Sequence, residues 1–130
     1  MDKVIILDAD MASAFAKIKR LELLKRLFSK HRIVITPEIY EELTVSLDYG
    51  YTFPLDIFRY FEILHPSEEE CKEYQKLLLE KRTLGKGELE AICICRHREY
   101  VFSSIDAAAL RFAEENSVET LELHSCRWKI

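Results

Sequence analysis

Four acidic residues stand at four separate turns of this 130-residue chain, each where an α/β fold brings it to one end of its sheet. They are Asp8 in VIILDAD, Glu42 in TPEIYEEL, Glu88 in LGKGELEAI and Asp106 in VFSSIDAAAL. Carboxylates scattered in sequence and gathered in space are the ligands that hard divalent cations such as Mg²⁺ or Mn²⁺ take. Gathered carboxylates repel one another, and a cation keeps them ionised and close. The chemistry this points to is metal-assisted phosphodiester cleavage, with an activated water attacking phosphorus and the metal offsetting charge on the phosphate oxygens.

Each acid also has a plainer structural explanation. Asp8 directly follows the apolar VIIL, where an isolated carboxylate would lack solvation, so it either caps the next helix or binds a cation. Glu42 competes with Glu41. On a helix starting at Pro37, the buried stripe is Ile39, Leu43 and Leu47; Glu42 lies at its margin and Glu41 further round toward water, so Glu42 is preferred. Taken alone, either one reads as a surface residue. Glu88 sits in a first helical turn after Gly85-Lys86-Gly87, where the helix dipole favours an acid. It shares its face with Ala91, Ile92 and Cys95, whereas Glu90 points elsewhere and reads as surface. Asp106 also lies at a helix start, with Ser104 as the N-cap. The signal is the combination, in this order and strand context.

The elements that must position these acids alternate. Lys3 to Leu7 is a continuous apolar run, as expected of a central strand buried on both sides. Helices follow over residues 10–18 and 20–31, the second with Leu21, Leu24, Leu27 and Phe28 as its inner stripe. RIVI at 32–35 is a second strand, and Thr36-Pro37 supplies an N-cap and a first-turn proline for a helix to Leu47. A turn at residues 48–50, a short helix over 55–60 and a weaker strand over 61–64 come next. Ser67 and Glu70 have capping-box spacing, opening a helix to Arg82 with Cys71, Tyr74, Leu77 and Leu78 inward. A helix over 86–97, a strand over 100–102, a helix over 104–115 with Ile105, Ala109 and Phe112 inward, and a strand over 119–123 complete the pattern. The last residues read as a tail. The alternation implies a three-layer α/β/α sandwich around a mostly parallel sheet of four to five strands, in a single domain covering residues 1–130. Ligands bind such sheets beyond the carboxyl ends of the strands, the edge where Asp8 and Asp106 fall.

Composition fits that picture. With 48% apolar and 32% charged residues the chain is an ordinary globular domain, large enough to form a core without disulfides. The opening MDKVIILDAD is too short and acidic for a signal peptide, and no apolar run reaches the ~20 residues of a membrane span, so a cytoplasmic location is expected. Cys71, Cys93, Cys95 and Cys126 form no C-x-x-C pair and read as small buried thiols. The net charge of −4 hides an asymmetry: residues 11–32 carry +6, leaving −10 elsewhere. That permits a phosphate-binding face on an acidic protein, although a solvated helical face has the same composition. Within it Lys17, Lys19 and Arg20 are candidates to hold phosphates flanking a scissile bond.

Across nearly its whole length the chain resembles the PIN-domain family of Mg²⁺/Mn²⁺-dependent ribonucleases, which includes the VapC-type toxins of toxin–antitoxin pairs. The resemblance lies in an opening apolar strand and Asp (VIILD), a Glu-bearing helix after a short strand and Pro (VITPEIYEEL), an acid leading into small residues (LGKGELEAICIC) and Ser-x-Asp after a strand (VFSSIDAAALRFAEE). It implies catalytic and metal-binding roles for Asp8, Glu42, Glu88 and Asp106 and a helper hydroxyl at Ser104. It further implies an RNA substrate, products with 5′-phosphate and 3′-hydroxyl ends, an antitoxin partner and a homodimer. Two departures stand out. Ala9-Asp10 replaces the family's usual Thr-Asn or Thr-Ser, so Asp10 either joins the site or begins the helix. The third acid is the longer Glu.

Three other readings compete. Asp8-Ala9-Asp10 after an apolar strand fits a haloacid dehalogenase-type phosphatase, but Ala12 stands where that pattern wants Thr or Val. No later Lys with an Asp-Asp pair is evident either. A receiver domain has the right length but lacks an acceptor Asp after the third strand. A degenerate PIN fold that binds nucleic acid or protein without cleaving is the non-enzymatic reading.

Overall fold

A computed structural model of the chain describes residues 3–80, 83–122 and 127–129. Strand β1 (Val4–Leu7) lies inside a six-stranded sheet, flanked on one side by β2 (Arg32–Ile35) and β3 (Glu62–Ile63) and on the other by β4 (Val101–Ser103), β5 (Glu119–Glu122) and β6 (Arg127–Lys129). The strands β1 to β5 are parallel, and β6 pairs antiparallel with β5. The C-terminal residues expected to be a tail therefore add a strand, making six instead of four to five. Leu123 and Cys126 lie outside the described residues, as do Lys81 and Arg82.

Ile5, Ile6 and Leu7 are all buried. Successive strand side chains point to opposite faces, so burial of all three requires cover on both faces of the sheet. The cover comes from α1 (Ala9–Lys17), α2 (Leu21–Leu27), α3 (Pro37–Asp48), α4 (Phe53–Tyr60), α5 (Glu68–Glu80), α6 (Lys86–Arg98) and α7 (Ala107–Glu115). One large cluster contains Ile5, Ile6, Val34, Ile35, Phe102 and Val101 from the strands with Leu24, Ile39, Ile92 and Ala109 from the helices. Each fully buried side chain of this size contributes roughly 1.5–3 kcal/mol of transfer free energy. Among the described residues no helix is long and apolar enough to cross a membrane.

Local signals mostly act as expected. Ser67 and Glu70 form a reciprocal capping box at α5, with Ser67 N–H donating to Glu70 Oε1 at 2.7 Å and Glu70 N–H to Ser67 Oγ at 3.2 Å. Pro37 begins α3 and Asn116 closes α7. Four expectations are corrected. Leu27 is 58% exposed, because α2 ends there and only Leu21 and Leu24 reach the core. Ile105 is equally exposed, because α7 starts two residues later at Ala107. Asp106, not Ser104, is the N-cap of α7, its Oδ1 accepting Ala108 N–H at 2.9 Å. Glu90 is buried, not on the surface. Cys93 and Cys95 are buried free thiols, while Cys71 is partly exposed. Burial pushes the Cys93 thiol up to about 12, which leaves it unreactive.

Candidate functional site

The site forms where β1 and β4, neighbours in the sheet, both end. Asp8 follows β1 directly, and its N–H donates to Ser103 O at 3.0 Å, extending the β1–β4 ladder by one bond. Extended backbone at Asp8 turns the chain into α1, but the side chain makes no capping bond to that helix. The residue is only 3% exposed, and its carboxylate instead accepts a hydrogen bond from Ser104 Oγ at 2.6 Å through Oδ2. Burial raises the Asp8 pKa, the Ser104 hydroxyl opposes this, and the nearby Asp10 charge raises it further.

Ser104 links two of the acids. Its hydroxyl donates to Asp8 and accepts Asp106 N–H at 3.0 Å, so the loop between β4 and α7 is tied to the end of β1. Ser104 is itself buried, which fixes the hydroxyl in this bridging role.

Glu88 occupies the third position of α6 and caps its own helix, Oε1 accepting Gly85 N–H at 2.9 Å. It is 9% exposed. Burial, followed by the Asp8 charge and a hydrogen bond and charge from Asp106, pushes it up to about 7, against the help of the Gly85 amide. The neighbouring Asp106 carboxylate thus helps Glu88 keep its proton to near neutrality.

Glu42 enters from α3. Its backbone position is on the exposed margin, as Glu41 is, but its carboxylate turns inward and Oε1 accepts Gly87 N–H at 3.1 Å. Burial, then the charges of Asp8, Asp10 and Glu38, raise its pKa. Gly87 is what allows α3 and α6 to approach this closely. A Cβ there would stand 2.7 Å from Glu42 Oε1 and 2.9 Å from Ile39 Cγ1. At Gly85 a Cβ would stand 3.5 Å from Glu88 Oε1 and 3.7 Å from Glu42 Oε1, so one point lies within reach of both carboxylates.

Asp8, Glu42, Glu88 and Asp106 therefore lie at one edge of the sheet and feel one another electrostatically. Among the described residues no Lys, Arg or His forms an ion pair with any of them. Their contacts are pairwise, and among the described residues no three His, Cys, Asp or Glu side chains stand arranged as a ligand set for a metal ion. Asp10 is exposed in the first turn of α1, close enough to raise both Asp8 and Glu42. Lys17 lies at the other end of α1, roughly 13.5 Å along the helix from Asp8. Its Nζ rests 5.1 Å from the Phe53 ring centroid. Lys19 and Arg20 follow in the turn to α2, with Lys19 lining a hollow also bordered by Glu22, Asp56, Arg59 and Tyr60.

Sequence reasoning missed Gly87 and Glu90. A usable signal was the composition of α6: GELEAICIC has no solvated face, and residues 87–95 are all buried, so Glu90 had no water to point into.

A parallel α/β sheet with acids gathered at its C-terminal edge, none of them ion-paired among the described residues, defines the class of domain. The family model described as PIN domain matches residues 4–121, and the chain belongs to the PIN-domain family. That membership sets aside the phosphatase and receiver readings. The chain is similar in structure to VapBC-1 from nontypeable Haemophilus influenzae, with a TM-score of 0.70 and 16% identity over 93% of this chain and 98% of that one. VapBC2 from Rickettsia felis, bound to a DNA fragment from their promoter, gives a TM-score of 0.70 with 15% identity over 92% and 98%. PAE2754 from Pyrobaculum aerophilum gives 0.64 with 14% identity over 96% and 94%. At these identities the likeness establishes the fold. No curated protein sequence matches the chain.

Proposed function

We propose that this PIN domain is an endoribonuclease dependent on Mg²⁺ or Mn²⁺ and the toxin of a toxin–antitoxin pair. The observation that carries the reading is the set of four neighbouring acids with, among the described residues, no cationic side chain ion-paired to them. Three of the four have raised pKa values caused by burial and by one another. All-oxygen donors that repel in this way fit a hard divalent cation. Asp8, Glu42, Glu88 and Asp106 would hold it, and it would supply an activated water and offset charge on the scissile phosphate.

The chain's own groups have definite tasks in this scheme. Ser104 holds Asp8 in one orientation and ties Asp106 to it. Gly87 N–H orients Glu42 through one oxygen, leaving the other to face the site. Glu88 would have to give up its proton to hold a cation, so binding would strengthen as pH rises. Lys17, Lys19 and Arg20 are too far from the acids to touch the scissile phosphate and would contact phosphates further along the RNA. The VapBC neighbours support a small antitoxin protein as partner, and the PIN family supports a homodimer in the cytoplasm.

A second reading, a PIN fold that binds without cleaving, draws on the pairwise contacts of the acids, which are not arranged as a ligand set. One experiment separates the two. The purified protein is incubated with varied RNAs with and without Mn²⁺, and its melting temperature is followed across a Mn²⁺ titration. The nuclease reading expects Mn²⁺-dependent cleavage, a rise in melting temperature, and loss of both in Asp8→Asn while the fold stays intact. An Asp8→Asn protein that cleaves as fast as the parent refutes the assignment.

A further inference from the structure

Glu38 is the second residue of α3 and Gly87 the second residue of α6. Backbone amides at this depth have no acceptor within their own helix. Each is met by a Glu of the other helix: Glu38 N–H donates to Glu90 Oε1 at 2.9 Å, and Gly87 N–H donates to Glu42 Oε1 at 3.1 Å. The two helices cap one another. The local alternative at α3 exists and is not used. Thr36 stands at the N-cap position, yet its side chain caps nothing; its buried hydroxyl is turned toward the Glu90 carboxylate instead. Glu90 is only 4% exposed, an expensive place for a carboxylate unless its acceptor capacity is needed there. Tyr74 of α5 steadies the same end of α3, its hydroxyl donating to Glu38 Oε2 at 2.5 Å.

On a helix, residues two apart point to nearly opposite sides. Glu88 faces Asp106 and Asp8, while Glu90 faces the start of α3. Glu42 lies one turn after Glu38 on α3, so whatever fixes Glu38 against α6 also fixes how far Glu42 reaches toward Glu88. We infer that Glu90 is a positioning residue, capping α3 from α6 and thereby setting the register that brings the Glu42 carboxylate beside Glu88. Its consequence for metal binding rests on the proposed cation site; the cross-cap itself rests on geometry alone.

The test uses the full chain with Glu90→Ala, Glu90→Gln and Tyr74→Phe. Two quantities are read: amide deuterium uptake over residues 38–42 in metal-free protein, and the Mn²⁺ concentration giving half the maximal rise in melting temperature. Glu90→Ala should speed exchange and raise the Mn²⁺ half-point, each about tenfold, the scale of a lost cap. Glu90→Gln keeps the acceptor oxygen and should stay within about threefold of the parent in both. Tyr74→Phe should lower the melting temperature and move the Mn²⁺ half-point less than Glu90→Ala does, because it loosens Glu38 without removing either cross-helix bond. Should Glu90→Ala not fold, Glu90→Met, of similar length and also without an acceptor, takes its place. Parental exchange and a parental half-point in the variant lacking an acceptor overturn the inference, and so does a Gln variant as impaired as Ala. A parent that shows no response to Mn²⁺ refutes the cation reading instead, and the exchange data still decide the cross-cap.

Discussion

Replacing Gly87 by Ala tests the contact on which the α3–α6 side of the site depends. The added methyl would lie 2.7 Å from Glu42 Oε1 and 2.9 Å from Ile39 Cγ1, both closer than real Cβ contacts come. Ile39 is wholly buried and has nowhere to move. Glu42 is the flexible partner, so its carboxylate must swing away and give up the Gly87 amide. Overpacking of this kind costs about 1–3 kcal/mol. Ala is the better helix former by up to ~1 kcal/mol, which offsets part of that. The net expectation is a loss of about 1–2 kcal/mol, or roughly 4–8 °C in melting temperature for a domain of this size. The displaced Glu42 should also weaken cation binding. At a Mn²⁺ concentration one hundred times the parental dissociation constant, binding adds about 2.7 kcal/mol; a tenfold weaker site adds only about 1.4 kcal/mol. Differential scanning fluorimetry across a Mn²⁺ titration reads both effects. Gly85→Ala is the matched control, because its Cβ meets nothing nearer than 3.5 Å and Mn²⁺ should act on it as on the parent. If Gly87→Ala melts and responds to Mn²⁺ like the parent, the close approach of α3 to α6 is not what that glycine provides.

Two further outcomes can be measured in the same way. Unfolded Glu ionises near 4.5 whereas folded Glu88 keeps its proton to about 7, so metal-free stability should fall as pH rises across that window, by on the order of 2 kcal/mol, and then level off. Asp8 and Glu42 act in the same direction, while Glu70, held low by Arg98 and the Ser67 amide despite its burial, acts in the opposite one. Glu88→Gln should abolish most of the decline, melt above the parent at pH 8 without metal, and lose the Mn²⁺ response; an unchanged pH profile counts against a proton held on Glu88. Arg98 grips Glu70 through two bonds of 2.9 and 2.8 Å and reaches His65 O at 2.9 Å, so Arg98→Ala should cost about 3 kcal/mol in urea unfolding by leaving a buried carboxylate short of donors. Arg98→Lys should recover only part of this, since a lysine lacks the planar fork.

The central sheet was legible because strand segments buried on both faces must be apolar, and VIIL and the IVI that follows Arg32 are. The order of acids was legible because each follows a strand or opens a helix. The capping of α7 was not: Ser104 and Asp106 both suit an N-cap, and only the pull of Asp8 on the Ser104 hydroxyl decides between them. Glu90 was misread because periodicity assigns a polar residue to water by default, while α6 has protein on every side. The sixth strand was invisible because three residues are too few to show a strand's alternation.

The two ends of the sheet differ in how they meet solvent. At one end β3 is only two residues long, and its Glu62 is tied to Arg32 of the neighbouring strand. At the other, β6 runs against the direction of the rest. The β3 margin therefore lacks the long, flat, uncharged row of backbone groups on which a stray chain could assemble cross-β layers. Copies of this domain that meet in a crowded solution should find that margin a poor place to add a strand.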